Sequence, residues 1–305
     1  MIHSLDLSLP VEVIIKITSY LTDREILVLT SCSRQLHDIL HLIRFQNQVN
    51  FNKIEDLSYF DSFCYVEYTK SNDRFPKWIQ FLHWNCAENL PKSILTSDTL
   101  RHIYFEHMYN QPISQLPIAL THLIFHGRYD QPLPTLPDSL TTLYLSFDYN
   151  QPLPQLPDSL ANLYLSYYYN KTLPKLPNSL ITLTLSFRYT KQLPLLPDSL
   201  MYLDLGHYYG HPLLRLPSAL QKLTLSYYYD YPLPELPCRL RKLVLSARYN
   251  HILPLLPESL EELYLGYEYE HPLPSLPNSL RRLAVRRRFP LPENISPKIT
   301  IQYIN

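Results

Sequence analysis

The chain has only four glycines in 305 residues, Gly127, Gly206, Gly210 and Gly266, and none of them builds a Gly-rich phosphate loop. The GxSxG elbow of serine hydrolases and the HExxH zinc helix are also missing. Cysteine is equally scarce: Cys32, Cys64, Cys86 and Cys238 lie far apart, with no CxxC pair. That argues against a structural zinc site or a disulfide framework and favours a reducing, cytoplasmic setting. No apolar run is long enough to span a membrane, and Asp6 and Glu12 break up the N-terminal apolar residues that a secretory signal would need intact. Charge of one sign is lacking too, with 27 Lys plus Arg against 27 Asp plus Glu. Neither nucleic acid nor a membrane surface is therefore an expected partner. The expectation is a non-enzymatic protein with no cofactor and no metal.

What the chain has instead is 28 prolines and 26 tyrosines. Abundant proline can mean disorder, but disordered chains are poor in aromatics, and this one is rich in them. From residue 100 the sequence repeats every 20 residues without slippage. Leucine occupies position 100 and every twentieth residue to 280, and further apolar columns start at Ile103, Phe105 and Ile113. Tyrosine fills 109 to 269, and Leu116-Pro117 recurs to Leu276-Pro277. A fixed period of this length marks a solenoid, whose coils bury their apolar faces only against one another. The alternation Leu143-Tyr144-Leu145 predicts a short strand, and prolines at 152, 154 and 157 predict an extended return path. Ten such coils would stack into a parallel sheet about 45 Å long. After each Tyr the Asn column changes to Asp130, Thr190, Gly210 and Glu270, so no unbroken asparagine ladder is expected. The fold class expected is a small all-α head followed by a leucine-rich-repeat-like β solenoid of parallel strands.

The segments Tyr109-Asn110-Gln111-Pro112-Ile113, Tyr149-Asn150-Gln151-Pro152-Leu153 and Leu156-Pro157-Asp158-Ser159-Leu160 resemble the FNIP repeat over about 190 residues. Upstream, Pro10 suits a first helical position and Thr22 and Glu25 have capping-box spacing. A third helix is predicted from Ser33-Arg34. The string from Leu9-Pro10 through Ser33-Arg34 is similar to the F-box. That resemblance implies a head that binds a Skp-family adaptor and, through it, a cullin, with Leu9, Pro10, Ile14, Ile17, Leu21 and Leu27 on the adaptor-facing surface. Giant viruses of amoebae and social amoebae join these two modules, which would place a viral protein in the host cytoplasm.

The expected organisation is a helical F-box-like domain over 1–44, an N-terminal cap or degenerate repeats over 45–99, the solenoid over 100–289 and a C-terminal tail or cap over 290–305. The simplest account of 45–99 is one bulky coil that seals the open end. The unvarying Tyr column and the PxxP pairs read as architecture. The variable column beside the inward leucines reads as a target-binding concave face, with Tyr104, Tyr144, Tyr164, Tyr202, Asp204 and Tyr264 as its candidates. Ala284 belongs to the same column. His102 and His122 would stack on adjacent strands without forming a metal site. The resemblance implies a substrate receptor of an SCF-type ubiquitin ligase with an unknown protein target; the alternative is an interaction scaffold unrelated to ubiquitin.

Overall fold

A computed structural model describes residues 10–292 and 295–304. Among the described residues three short helices come first: α1 (Val11–Thr18), α2 (Asp23–Ser31) and α3 (Arg34–Asp38). Fourteen strands follow in a single parallel sheet, ordered as they occur in sequence. They are β1 (Val49–Asn50), β2 (Tyr65–Tyr68), β3 (Phe81–Trp84), β4 (His102–Phe105), β5 (His122–Phe125), β6 (Thr142–Tyr144) and β7 (Asn162–Tyr164). The rest are β8 (Thr182–Thr184), β9 (Tyr202–Asp204), β10 (Lys222–Thr224), β11 (Lys242–Val244), β12 (Glu262–Tyr264), β13 (Arg282–Arg286) and β14 (Thr300–Ile304). At a strand spacing of ~4.8 Å the sheet runs about 62 Å, longer than the sequence period implies.

The extra length comes from both ends. Residues 45–99 form three strands of the same sheet and not one sealing coil, with Val49, Val66, Leu82 and Ile103 in successive register. Their spacing is irregular, which hides them from a search for a fixed period. At the other end β14 pairs with β13 over five residues, so pairing continues past the triple-arginine run where the repeat pattern stops.

Each repeat folds for reasons that can be read residue by residue. Leu143 and Leu145 point inward and are 0% and 1% exposed, while Tyr144 between them faces outward. Fully burying one such leucine contributes ~1.5–3 kcal/mol. The Leu-Pro-x-Ser-Leu segment turns the corner. The Pro157 carbonyl accepts from Leu160 N–H at 3.0 Å, and the same bond recurs in the neighbouring coils. The turn serine then ties one coil to the one before it, as Ser159 Oγ donates to the Leu140 carbonyl at 2.7 Å and Ser179 Oγ to Leu160 at 2.8 Å. A second serine column is fully buried: Ser146, Ser166 and Ser186 donate to the carbonyls of Tyr129, Tyr149 and Tyr169, each at 2.6 Å.

The tyrosine column is interior, as expected. Tyr109 through Tyr269 are at most 1% exposed, and their rings stack from Tyr109 to Tyr209 with centroids 5.9–6.3 Å apart. The position after them forms a longer ladder than the residue changes suggest. Backbone N–H groups of residues 130, 150, 170 and 190 donate to the side-chain oxygens of Asn110, Asp130, Asn150 and Asn170 at 2.8–3.0 Å. Asp130 continues the ladder because only the acceptor oxygen is used. The ladder lapses at Thr190 and Gly210 and resumes where Asn250 accepts from Glu270 N–H at 3.0 Å. In the same stretch Gly206 replaces the buried serine, and Leu193 and Leu196 are only partly buried.

Two outcomes test this interior. The Tyr129 hydroxyl has no hydrogen-bond partner, whereas the Tyr229 hydroxyl accepts from Leu213 N–H at 3.1 Å. In urea titrations Tyr129→Phe should be neutral or stabilising, and Tyr229→Phe should cost about 1–3 kcal/mol by leaving a buried N–H unpaired. Burial also pushes the phenols of Tyr189, Tyr209 and Tyr249 from 10.0 up to about 12. A raised pKa in the folded state means that this stability is complete below pH 10 and is lost between pH 10 and 12. Far-ultraviolet circular dichroism should therefore change across that window and stay flat below it.

Candidate functional site

Two surfaces present side chains that the fold itself does not use, the helical head and the outer face of the sheet. In the head, Thr22 caps α2 in the expected capping box: Glu25 accepts from Thr22 N–H at 2.8 Å, and Glu25 N–H donates to Thr22 Oγ1 at 3.4 Å. The Thr22 N–H, and then the Thr22 hydroxyl, which donates to the same carboxylate at 2.8 Å, hold the Glu25 carboxyl below its usual range. Pro10 is the N-cap of α1 rather than its first helical residue, with ψ of 145°. The head is anchored to the solenoid by Asp23, whose carboxylate accepts from Gln46 N–H at 3.2 Å and Asn47 N–H at 2.8 Å. Ile26, Leu36, Leu40 and Ile43 join the same continuous core as Phe45 and Phe63.

The six residues expected on the adaptor-facing surface divide accordingly. Leu9 lies outside the described residues. Pro10, Ile17 and Leu27 are exposed, the last two at 40% and 41%. Leu21 is half-buried against the core. Ile14 is a correction. It is buried, because α1 turns Ile14 and Thr18, four residues apart, toward the interior. Its place on the surface is taken by residues passed over in the sequence: Val11, Val13, Tyr20, Val28 and Leu42 are all exposed.

On the sheet, the candidate target-binding residues form a strip and not a pocket. Tyr104 and Tyr264 stand eight strands apart, about 38 Å. Only Tyr144 and Tyr164 touch, with ring centroids 5.6 Å apart, and His126 lies 5.8 Å from Tyr144. Tyr202 is exposed on β9, whereas Asp204 on the same strand accepts from Gly206 N–H at 2.9 Å. Tyr264 is committed to its neighbours. Its hydroxyl bonds Glu262 and Arg282 at 3.1 Å each, and Lys242, paired with Glu262 at 2.6 Å, lies over its ring. Hydrogen bonding within that cluster raises the pKa of Lys242 and lowers that of Glu262. Ala284, expected in the outward column, is fully buried; its methyl group sits in register between the larger Tyr264 and Gln302.

Nearer the head, His102 and His122 stack with centroids 4.2 Å apart, and His102 also stacks on Phe81 at 4.3 Å. Burial, and then the His122 ring, push His102 down to about 4, so it is neutral at pH 7. His83 pairs with Glu106 at 2.6 Å. Among the described residues no three His, Cys, Asp or Glu side chains are grouped to hold a metal ion, and no helix is long and apolar enough to cross a membrane.

The FNIP Repeat family model matches residues 109–148, 129–168, 149–187 and 249–285. Residues 109–187 and 249–285 thus carry FNIP repeats. The matches skip 188–248, the stretch in which Thr190, Gly210 and Asp230 replace the asparagine of the motif. Among solved structures, CroV588, a circular leucine-rich-repeat protein, is 25% identical with a TM-score of 0.63; the alignment covers 80% of this chain and 43% of that one. YopM from Yersinia enterocolitica is 22% identical with a TM-score of 0.57, covering 80% of this chain and 60% of that one. This chain thus spans less than two thirds of either protein, and the likeness is one of fold. No curated protein matches it. A repeat solenoid of this kind is suited to protein–protein interaction.

The two helical positions of opposite exposure give a direct test. Ile17→Asp should leave the thermal melting point nearly unchanged, because the side chain already meets water. Ile14→Asp should destabilise the head by more than ~2 kcal/mol by burying a carboxylate without a partner. Amide exchange over residues 10–44 distinguishes the two.

Proposed function

We propose that the protein is the target-recruiting subunit of an SCF-type ubiquitin ligase, with the head docked on a Skp-family adaptor and the FNIP solenoid holding a target protein. It works in the cytoplasm, that of the host if the protein is viral. The reading is carried by the apolar surface left uncovered on the head. Val13 and Ile17 stand one helical turn apart on α1, Tyr20 follows just past its end, and Leu27 and Val28 extend the surface on α2. A head this small that still shows so much apolar surface after docking on its own solenoid is built for a protein partner. Pro10 and Leu9 border that surface in sequence, as the F-box resemblance requires.

On this reading no bond chemistry belongs to the chain. The solenoid raises the local concentration of a target near a ubiquitin-carrying enzyme held by other subunits. The target lies along the outer sheet face, where Tyr104, Tyr144, Tyr164 and Tyr202 offer large rings with few rotors. Asp204 and Tyr264, held by internal bonds, shape that face more than they reach from it.

A second reading is favoured by the Asp23 bonds and the shared core: the head serves as the cap of the sheet edge at β1 in a scaffold unrelated to ubiquitin. One measurement separates the two. In calorimetry with a purified Skp-family adaptor, the full chain should form a stoichiometric complex, and Pro10→Ala combined with Ile17→Asp should weaken it at least tenfold while leaving thermal melting intact. No complex, or equal affinity for the double variant, selects the cap.

A further inference from the structure

A row of aromatic side chains runs along one rim of the sheet, two residues past the inward leucine that follows each strand. Phe147, Tyr167, Phe187, His207 and Tyr227 stack coil upon coil, with centroids 4.1–4.8 Å apart. Tyr168, Tyr208 and Tyr228, one residue further on, stand edge-on to this row with interplanar angles of 61–89°. The result is a ridge about 18 Å long, notched between rings. Phe147 and Tyr227 at its ends are exposed at 52% and 45%, and Tyr208 at 41%.

The fold does not need these rings. Ala247 occupies the same position one coil beyond Tyr227, and its turn keeps the same bond: Tyr249 N–H donates to the Ser246 carbonyl at 3.3 Å, as Tyr149 N–H does to Ser146 at 3.3 Å. The buried tyrosine column, by contrast, admits no such exchange from 109 to 269. Five surplus aromatics on consecutive coils, with their rims in water, make an interaction surface, and Tyr267 holds the same position beyond the break at Ala247.

Its chemistry selects the occupant. The faces of the stacked rings cover one another, so flat bases or sugars find no free face within the row. Rims and notches remain. Arg188 lies 5.0 Å over Tyr168 and Arg248 lies 4.6 Å over Tyr228, and among the described residues neither guanidinium is paired with a carboxylate. The surface is therefore aromatic and cationic together. A polyproline II helix repeats every three residues, ~9.3 Å, and two coils of a parallel sheet advance ~9.6 Å. A proline-rich strand laid along the solenoid axis would place a proline at every second notch and stay in register over the ridge. We infer that this aromatic ridge binds an acidic, proline-rich peptide segment in polyproline II conformation, with a carboxylate on Arg188 or on Arg248 according to where along the ridge it lies. The inference does not depend on what the helical head binds.

The test uses the full chain and fluorescein-labelled peptides of three Pro-Pro-Glu triplets, three Gly-Gly-Glu triplets and three Pro-Pro-Lys triplets, read by fluorescence anisotropy. The first should bind at least tenfold more tightly than either of the others. Tyr167→Ala with Phe187→Ala, and separately Arg188→Glu with Arg248→Glu, should each weaken it at least tenfold. The arginine pair is exposed, so it decides the matter even if the aromatic pair disturbs the coil. Equal binding of the Gly-Gly-Glu peptide would overturn the proposal, as would undiminished binding by the arginine variant. So would a dimer in sedimentation that both variants abolish, which would assign the ridge to a second copy of the chain.

Discussion

A coil of twenty residues has too little material to hide its own leucines. Leu163 and Tyr169 are fully buried only because Leu143 and Tyr149 lie under them and Leu183 and Tyr189 lie over them. Every other feature follows from that dependence between neighbours. Like must sit on like, so each column is bound to the register of the backbone ladder, and a change of spacing in one coil would misplace all its contacts at once. Proline can recur at this density because the return path forms no ladder of its own and needs an extended backbone more than it needs N–H donors.

Polar groups inside such a stack must propagate as well. A buried serine is tolerable when the carbonyl of the coil below is always within reach, and Ser166 on Tyr149 repeats the arrangement of Ser146 on Tyr129. The Asx ladder works in the same way, with each side-chain oxygen capping the next backbone N–H. These columns turn a pile of separate turns into one cooperative body. They also leave the outer face free to vary, as the change from Tyr144 and Tyr164 to Thr184 and Asp204 shows.

The repeat was legible because its signal is a period, and a period survives substitution. The strands, the corner turns and the interior tyrosines all follow from residues 100–289 alone. Strands β1 to β3 were not legible as separate strands, since Val49, Val66 and Leu82 keep the pairing but lose the spacing. The fate of Ile14 depended on which side of α1 faces the shared core, a tertiary fact with no local mark. Ala284 looked outward by alternation and is covered only because the side chains beside it are large. The aromatic ridge had a signal that went unused: the position of Phe147, Tyr167 and Phe187 is aromatic in some coils and Ala247 in another, which separates surface use from structural need.

Between coils 190 and 230 several ties slacken together. The Asx relay stops at Thr190, Gly206 stands where serine would donate, stacking of the tyrosine column breaks after Tyr209 and returns between Tyr249 and Tyr269, and Leu193 and Leu196 are incompletely covered. In a body whose cohesion is a sum of neighbour terms, such a coincidence sets the place of least stiffness. Bending of the solenoid would concentrate in that stretch and alter the curvature offered to anything that spans it.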